Sequence, residues 1–170
     1  MKSTNQSVSI EGFLSFFPTI ELPVTLTSDL HHTFSQRNEP FPPAILDQYL
    51  IPLEGEDVDE LTEFIPCFKL PNTYNFHAFV YWKAGLMTYE YVLVSISEKG
   101  ELIDKRVIAG TSSNGDSLTT SIATIEEDFE ILILSGHTEQ DVRANFIGAG
   151  SKATRLELLP EGQLVNIDNR

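Results

Sequence analysis

Residues 86–135 constrain this chain more than any other stretch, because they read as four successive β-strands joined by tight turns. Across 86–97, Tyr89, Tyr91 and Leu93 alternate with Val92, Val94 and Ile96, so both sides of one strand are apolar at its centre. Such a strand is expected to be covered on both faces. Glu98-Lys99-Gly100 makes a short loop, and Gly100 suits a type I turn closed by a bulge. Residues 102–109 form the return strand, with Ile103, Val107 and Ala109 alternating with Asp104, Arg106 and Ile108. Asn114-Gly115 is the strongest turn signal in 110–116. Leu118, Thr120, Ile122 and Thr124 mark a third strand, and Glu126-Glu127-Asp128 turns the chain. Phe129, Ile131 and Ile133 against Glu130, Leu132 and Leu134 mark a fourth, which Gly136 ends.

Upstream, residues 1–10 read as loose. Pro18 and Pro23 exclude an uninterrupted helix over 12–26, and an extended segment or edge strand around 19–26 fits better. Thr27-Ser28-Asp29 offers capping groups for a short helix ending near Asn38, with Leu30 and Phe34 on one face. A second helix starts at Pro42-Pro43, carries Ile45, Leu46, Tyr49 and Leu50, and stops at Ile51-Pro52. An acidic loop follows, with Glu54, Glu56, Asp57, Asp59, Glu60 and Glu63. Strands over 64–70 and 76–83 lead into the meander; strands over 154–159 and 163–167 close the chain around Pro160-Glu161-Gly162. The turn at Leu159-Pro160-Glu161-Gly162-Gln163 echoes Ser97-Glu98-Lys99-Gly100-Glu101, which shared turn chemistry explains. The polar, glycine-containing connection 137–152, with Val142, Phe146 and Ile147 as anchors, reads as a lid or binding loop.

Charge narrows the functional classes. The chain carries 11 Lys and Arg against 25 Asp and Glu, a net charge of −14. Nucleic acid and anionic membranes need clustered cations, so neither is an expected partner. Residues 1–68 hold only Lys2 and Arg37 as bases, and an acidic N-terminal half suits a basic protein partner. The same charge also serves solubility alone. The polar start lacks the apolar core of a secretion signal, and the lone Cys67 cannot form an internal disulfide; both lead to a cytoplasmic expectation.

No motif names a reaction. Cys67 lies between Pro66 and Phe68 in an apolar strand of an acidic protein, the wrong setting for a thiolate, and is expected to be a buried structural thiol. His31 and His32 point about 100° apart on a helix. With His77 and His137 isolated, no metal site is expected, and no cofactor. The acidic loop lacks the spacing of a calcium loop, and Gly148-Ala149-Gly150-Ser151-Lys152 lacks the spacing of a phosphate loop. The run 74–91 is the most informative. It holds four of the five tyrosines, the only tryptophan, Phe76 and Phe79. Tyr74, His77, Tyr81, Trp82, Tyr89 and Tyr91 are the candidate ligand or partner contacts, to be weighed against a plain role in core and rim.

The run 64–164, above all Tyr81-Trp82-Lys83-Ala84-Gly85 and the stretch from Gly100 to Gly110, resembles small uncharacterised bacterial proteins built on a β-meander. The turn at Ile125-Glu126-Glu127-Asp128-Phe129 and the hairpin at Leu159-Pro160-Glu161-Gly162 belong to that resemblance, which implies an antiparallel-sheet fold and carries no catalytic residues.

The expectation is therefore one domain over 1–170, mainly β (α+β): an antiparallel meander of seven to nine strands forming a bent sheet or partly open barrel, with one or two short N-terminal helices. The expected function is a non-catalytic binding or interaction protein, immunity-type or regulatory, with an acidic surface and a basic partner. The alternative is a small-molecule-binding barrel that takes an apolar or aromatic ligand, with acid/base activity from carboxylates or His77. Monomer and homodimer both remain open, the latter through an exposed strand or the aromatic face.

Overall fold

The computed structural model describes residues 7–139 and 150–168. Most of the expected lid loop and the start of the loose N-terminus, with Val142, Phe146 and Ile147, lie outside the described residues. Nine strands are described: β1 Val24–Leu26, β2 Glu63–Lys69, β3 Phe76–Gly85, β4 Thr88–Ser97, β5 Leu102–Ser113, β6 Ser117–Ile125, β7 Glu130–Glu139, β8 Lys152–Leu158 and β9 Leu164–Asn166. All pair antiparallel, and β2 to β9 follow one another in chain order without closing on themselves, so the bent sheet rather than the barrel is adopted.

The bend arises at the β5/β6 junction. β5 pairs with β6 only over Gly110–Ser113 against Leu118–Ser121. Beyond that point β1 takes the vacated edge, pairing Val24–Leu26 with Ile125, Thr124 and Ala123. The buried side switches here. On β4 and β5 the side carrying Tyr91 and Ala109 is buried, and by register it continues through Thr111 and Thr120 to Ile122. On β6 the opposite side, Ala123 and Ile125, is buried instead. One core thus fills the space between the β2–β5 half and the β6–β9 half, joining Phe68, Val80 and Leu93 to Ile131, Leu156 and Leu164. Gly110 sits at the switch with φ 143°, where an added Cβ would lie 2.0 Å from the Tyr89 carbonyl oxygen.

Two polar contacts hold the β8–β9 hairpin against the first half. The Ser95 hydroxyl, fully buried, donates to the Gly162 carbonyl at 2.5 Å, and Leu164 N–H donates to Asp104 Oδ2 at 2.8 Å. The turns at Gly100 and Gly162 are the same: in each the glycine N–H closes on the carbonyl three residues earlier at 2.9 Å, with φ 88° and 96°. Their sequence echo is therefore a conformational one.

A second core covers the other face of β3 and β4, where Phe79, Tyr81, Val92, Val94 and Ile96 meet apolar side chains from two helices and the segments that flank them, as the two-sided pattern of β4 requires. Helix α1, Ile10–Leu14, was not expected; it is capped by Ser9, whose Oγ accepts from Gly12 N at 3.1 Å, and it buries Phe13 and Leu14. A five-residue helix is too short to show periodicity, and Pro18 follows its end. Helix α2, His31–Arg37, buries Phe34 in the first core. Helix α3 spans 43–54 and runs through Ile51-Pro52 instead of stopping there. A π-turn, Leu46–Leu50, lets Ile51 N–H bond the Leu46 carbonyl, and Pro52 then enters the first turn of a new α segment, where its missing N–H is not needed.

Two strand boundaries and one alternation also differ from expectation. β7 continues through Gly136 to Glu139, because Gly136 stays paired with Thr120. β5 runs on to Ser113, so the turn shrinks to the Asn114-Gly115-Asp116 tip, which the Asn114 side chain closes by accepting from Asp116 N and Ser117 N. Within β5 the simple alternation fails: a bulge opposite Tyr91 and Val92 makes Ile108 an extra residue, so Ile108 and Ala109 are both buried while Val107 is exposed.

Candidate functional site

The aromatic run divides between the two faces of the sheet and does not form one cluster. Tyr81 is fully buried in the second core, Tyr91 in the first. Tyr91 donates its hydroxyl to the Thr27 carbonyl at 2.9 Å, and burial pushes its pKa up. Trp82 is nearly buried, on the Tyr91 side, with His31 stacked on it at 4.3 Å and 3° and Tyr89 lying 5.8 Å away at 21°. His31 Nδ1 faces the Ser28 carbonyl at 2.9 Å; a carbonyl only accepts, so Nδ1 carries the proton in the neutral ring. Tyr74 stands 81% exposed in the β2–β3 turn segment. His77 is half-buried on β3 and lines a shallow hollow with Thr19, Lys69 and Asn72. Of the six candidates, Trp82, Tyr89 and Tyr91 share a side of the sheet, and Tyr74, His77 and Tyr81 stand apart from them.

The polar centre lies elsewhere, at the C-terminal end of α3. In sequence Glu54 opens the acidic loop, yet its side chain is only 5% exposed. The Tyr81 hydroxyl donates to its Oε1. Lys83 Nζ lies 2.9 Å from its Oε2, and Lys105 Nζ lies 3.7 Å from the same oxygen while donating to the Leu53 carbonyl at 2.9 Å. Burial would raise the Glu54 carboxyl. The hydrogen bonds from Tyr81 and Lys83 and the charge of Lys105 outweigh it and hold the group below the ordinary glutamate range. Burial, and then the bond to ionised Glu54, drive Tyr81 far above the ordinary tyrosine range. A signal for this cluster was present: Lys83 is a lone charge in the apolar run 76–84, and a strand buried on both sides must pair such a charge.

A cleft of about 490 Å³ opens over this cluster. Glu54, Lys83 and Lys105 line it together with Asp59 and Thr62 from the acidic segment, Glu90 of β4, and the apolar Leu86 and Val107. Leu86 stands 80% exposed at the β3–β4 hairpin tip. Three carboxylates against two ammonium groups leave the cleft net negative, and exposed Glu56, Glu60 and Glu63 add to the acidity of the adjoining segment. Within the cleft the Thr62 hydroxyl donates to Asp59 Oδ1 at 3.2 Å. Cys67, a buried residue of β2, donates weakly to the Ile65 carbonyl at 3.6 Å, and burial pushes its thiol well up. The arrangement is suited to holding a cationic group beside an aliphatic one.

Compared with known proteins, the chain matches no family model, no curated protein and no solved structure. Among the described residues no helix is long and apolar enough to cross a membrane.

Proposed function

We propose that this is a non-catalytic binding protein, immunity-type or regulatory, that takes a basic segment of a partner protein into the cleft between the acidic segment and the β3–β4 hairpin. The observation that carries the reading is the composition of that cleft: Asp59 and Glu90 stand beside Leu86 and Val107, while Lys83 and Lys105 are already held by Glu54. A lysine or arginine side chain brings both a cation and an aliphatic stem, which matches the two kinds of wall. The net charge of −14 adds long-range attraction for such a partner. Cys67 as a single buried thiol accords with work in the cytoplasm.

The small-molecule reading has less support. Tyr81 and Tyr91 are spent in opposite cores, and the sheet stays open.

The test is calorimetric titration with an amphipathic lysine–leucine peptide, beside capture from lysate at low and high salt. The proposal expects binding that weakens with salt and is lost in the double variant Asp59→Arg, Glu90→Arg. It is wrong if no basic peptide or protein is held at low salt, or if the double variant binds as the parent does.

A further inference from the structure

A second surface of the molecule differs from the rest in charge. Among the described residues, the switch of the buried side at the β5/β6 junction leaves the outer side of β6 and β7 without a covering element. That side presents Leu118 at 39%, Leu132 at 37% and Leu134 at 44% exposure, with Ile122 half-buried between them. Around them the register places Thr25, Thr124 and Thr120, and the Thr25 and Thr124 hydroxyls bond each other at 2.9 Å. The ionised groups described on this side lie toward one end, where Arg155, directly opposite Leu132, pairs with Glu130 at 2.6 Å and Glu157 stands opposite Glu130. In a chain of net charge −14, the centre of a sheet face without charge is an anomaly that solubility does not explain.

We propose that this face is a self-association surface and that its occupant is a second copy of the chain. Charge selects the occupant. The basic partner suited to the acidic cleft finds no carboxylate at the centre of this face. Two copies meeting about a two-fold axis set the patch against itself, so a patch without charge brings no like charges together, and it is the place where two such acidic molecules approach at least cost. The self-bonded threonines leave few polar groups to be stranded by contact. The register spans nine residues on β6 and β7, six on β8 and three on β1; at roughly 3.4 Å per residue and 4.8 Å per strand the face measures on the order of 400 Å². A stable interface needs about 800 Å² per partner, so the dimer is weak and concentration-dependent.

Salt distinguishes this proposal from the one for the cleft. Binding of a basic segment weakens as salt is added, whereas association of two acidic copies through an uncharged face strengthens as their mutual repulsion is screened. The experiment is sedimentation equilibrium on the full chain at low and high salt, for the parent and the exposed-site variants Leu134→Lys and Leu61→Lys, each first checked by circular dichroism for an unchanged fold. Leu61 is 77% exposed and lies outside the face. The expected result is a monomer–dimer equilibrium that tightens with salt, weakens about tenfold or more in Leu134→Lys, and is unchanged in Leu61→Lys. A parent that stays monomeric at high concentration and high salt overturns the proposal. So does equal weakening by both variants, or an association that salt abolishes.

Discussion

Lys83 Nζ sits 2.9 Å from Glu54 Oε2, with the two side chains 9% and 5% exposed, and this pair ties the end of α3 to the far part of β3. A buried pair is far more costly to halve than to delete. Glu54→Ala should lower the unfolding free energy by about 3 kcal/mol, because Lys83 is left without its partner. Adding Lys83→Met to that variant should recover part of the loss, and urea denaturation of the single and double variants reads both. The pair also fixes a pH dependence. Glu54 has its folded pKa below the unfolded one, so its contribution is complete above the unfolded glutamate pKa and is lost as pH falls toward the folded value. Stability should fall more steeply on acidification in the parent than in Glu54→Gln.

Asn38 acts on a backbone defect. Its Nδ2 donates to the carbonyls of Pro66 at 2.7 Å and Cys67 at 2.9 Å, where β2 slips register against β3. Asn38→Ala should cost about 1–2 kcal/mol. Asn38→Asp should cost more at neutral pH than in acid, since a carboxylate cannot donate and would face two carbonyl oxygens. Thermal melts at both pH values separate the two cases.

Trp82 is a built-in reporter for His31, the two rings being parallel within 3°. An imidazolium quenches indole emission. Burial, and then the neighbouring His32, lower the His31 pKa, so quenching should set in below the usual ~6.5 and vanish in His31→Phe. The depressed value also means that the unfolded chain binds the proton first, so the share of stability linked to His31 is complete above the unfolded histidine pKa and declines as pH falls.

Gly110→Ala should be among the most damaging small substitutions in the sheet. The new methyl would meet the Tyr89 carbonyl at 2.0 Å in a backbone conformation that L side chains rarely adopt. A loss of more than about 2 kcal/mol, with a change in the near-ultraviolet signal of the aromatics, is expected on equilibrium unfolding.

The meander was legible because its signals are local: turn glycines, alternating side chains and the two-sided apolar pattern of β4 all act within ten residues. What was not legible depended on partners far along the chain. The alternation in β5 failed at Ile108 because a bulge is set by the opposing strand, and nothing in 102–109 announces it. Gly136 was misread as a strand end because a glycine stays in a ladder when its neighbour, Thr120, holds it there. How the aromatic run divides between the two faces was not legible, because residue type alone does not say which face of a strand a ring occupies. Glu54 was undervalued because its five acidic neighbours in 56–63 made it look like solvated loop, and only the lone charge of Lys83 hinted otherwise.

The pairing of β1 with β6 has a consequence for how the chain is made. Thr25 and Thr124 lie 99 residues apart in sequence, yet their hydroxyls bond across one ladder. During synthesis Val24–Leu26 must wait until Ile125 has left the ribosome, so α1, α2 and α3 emerge well before the edge that anchors the segment between α1 and α2 exists. Until then Leu26, fully buried at the end, lacks its ladder partner Ala123. Nascent chains halted before residue 117 should therefore be held by chaperones and cut readily by protease, and protection should be complete only once β7 to β9, which share this core, have emerged as well.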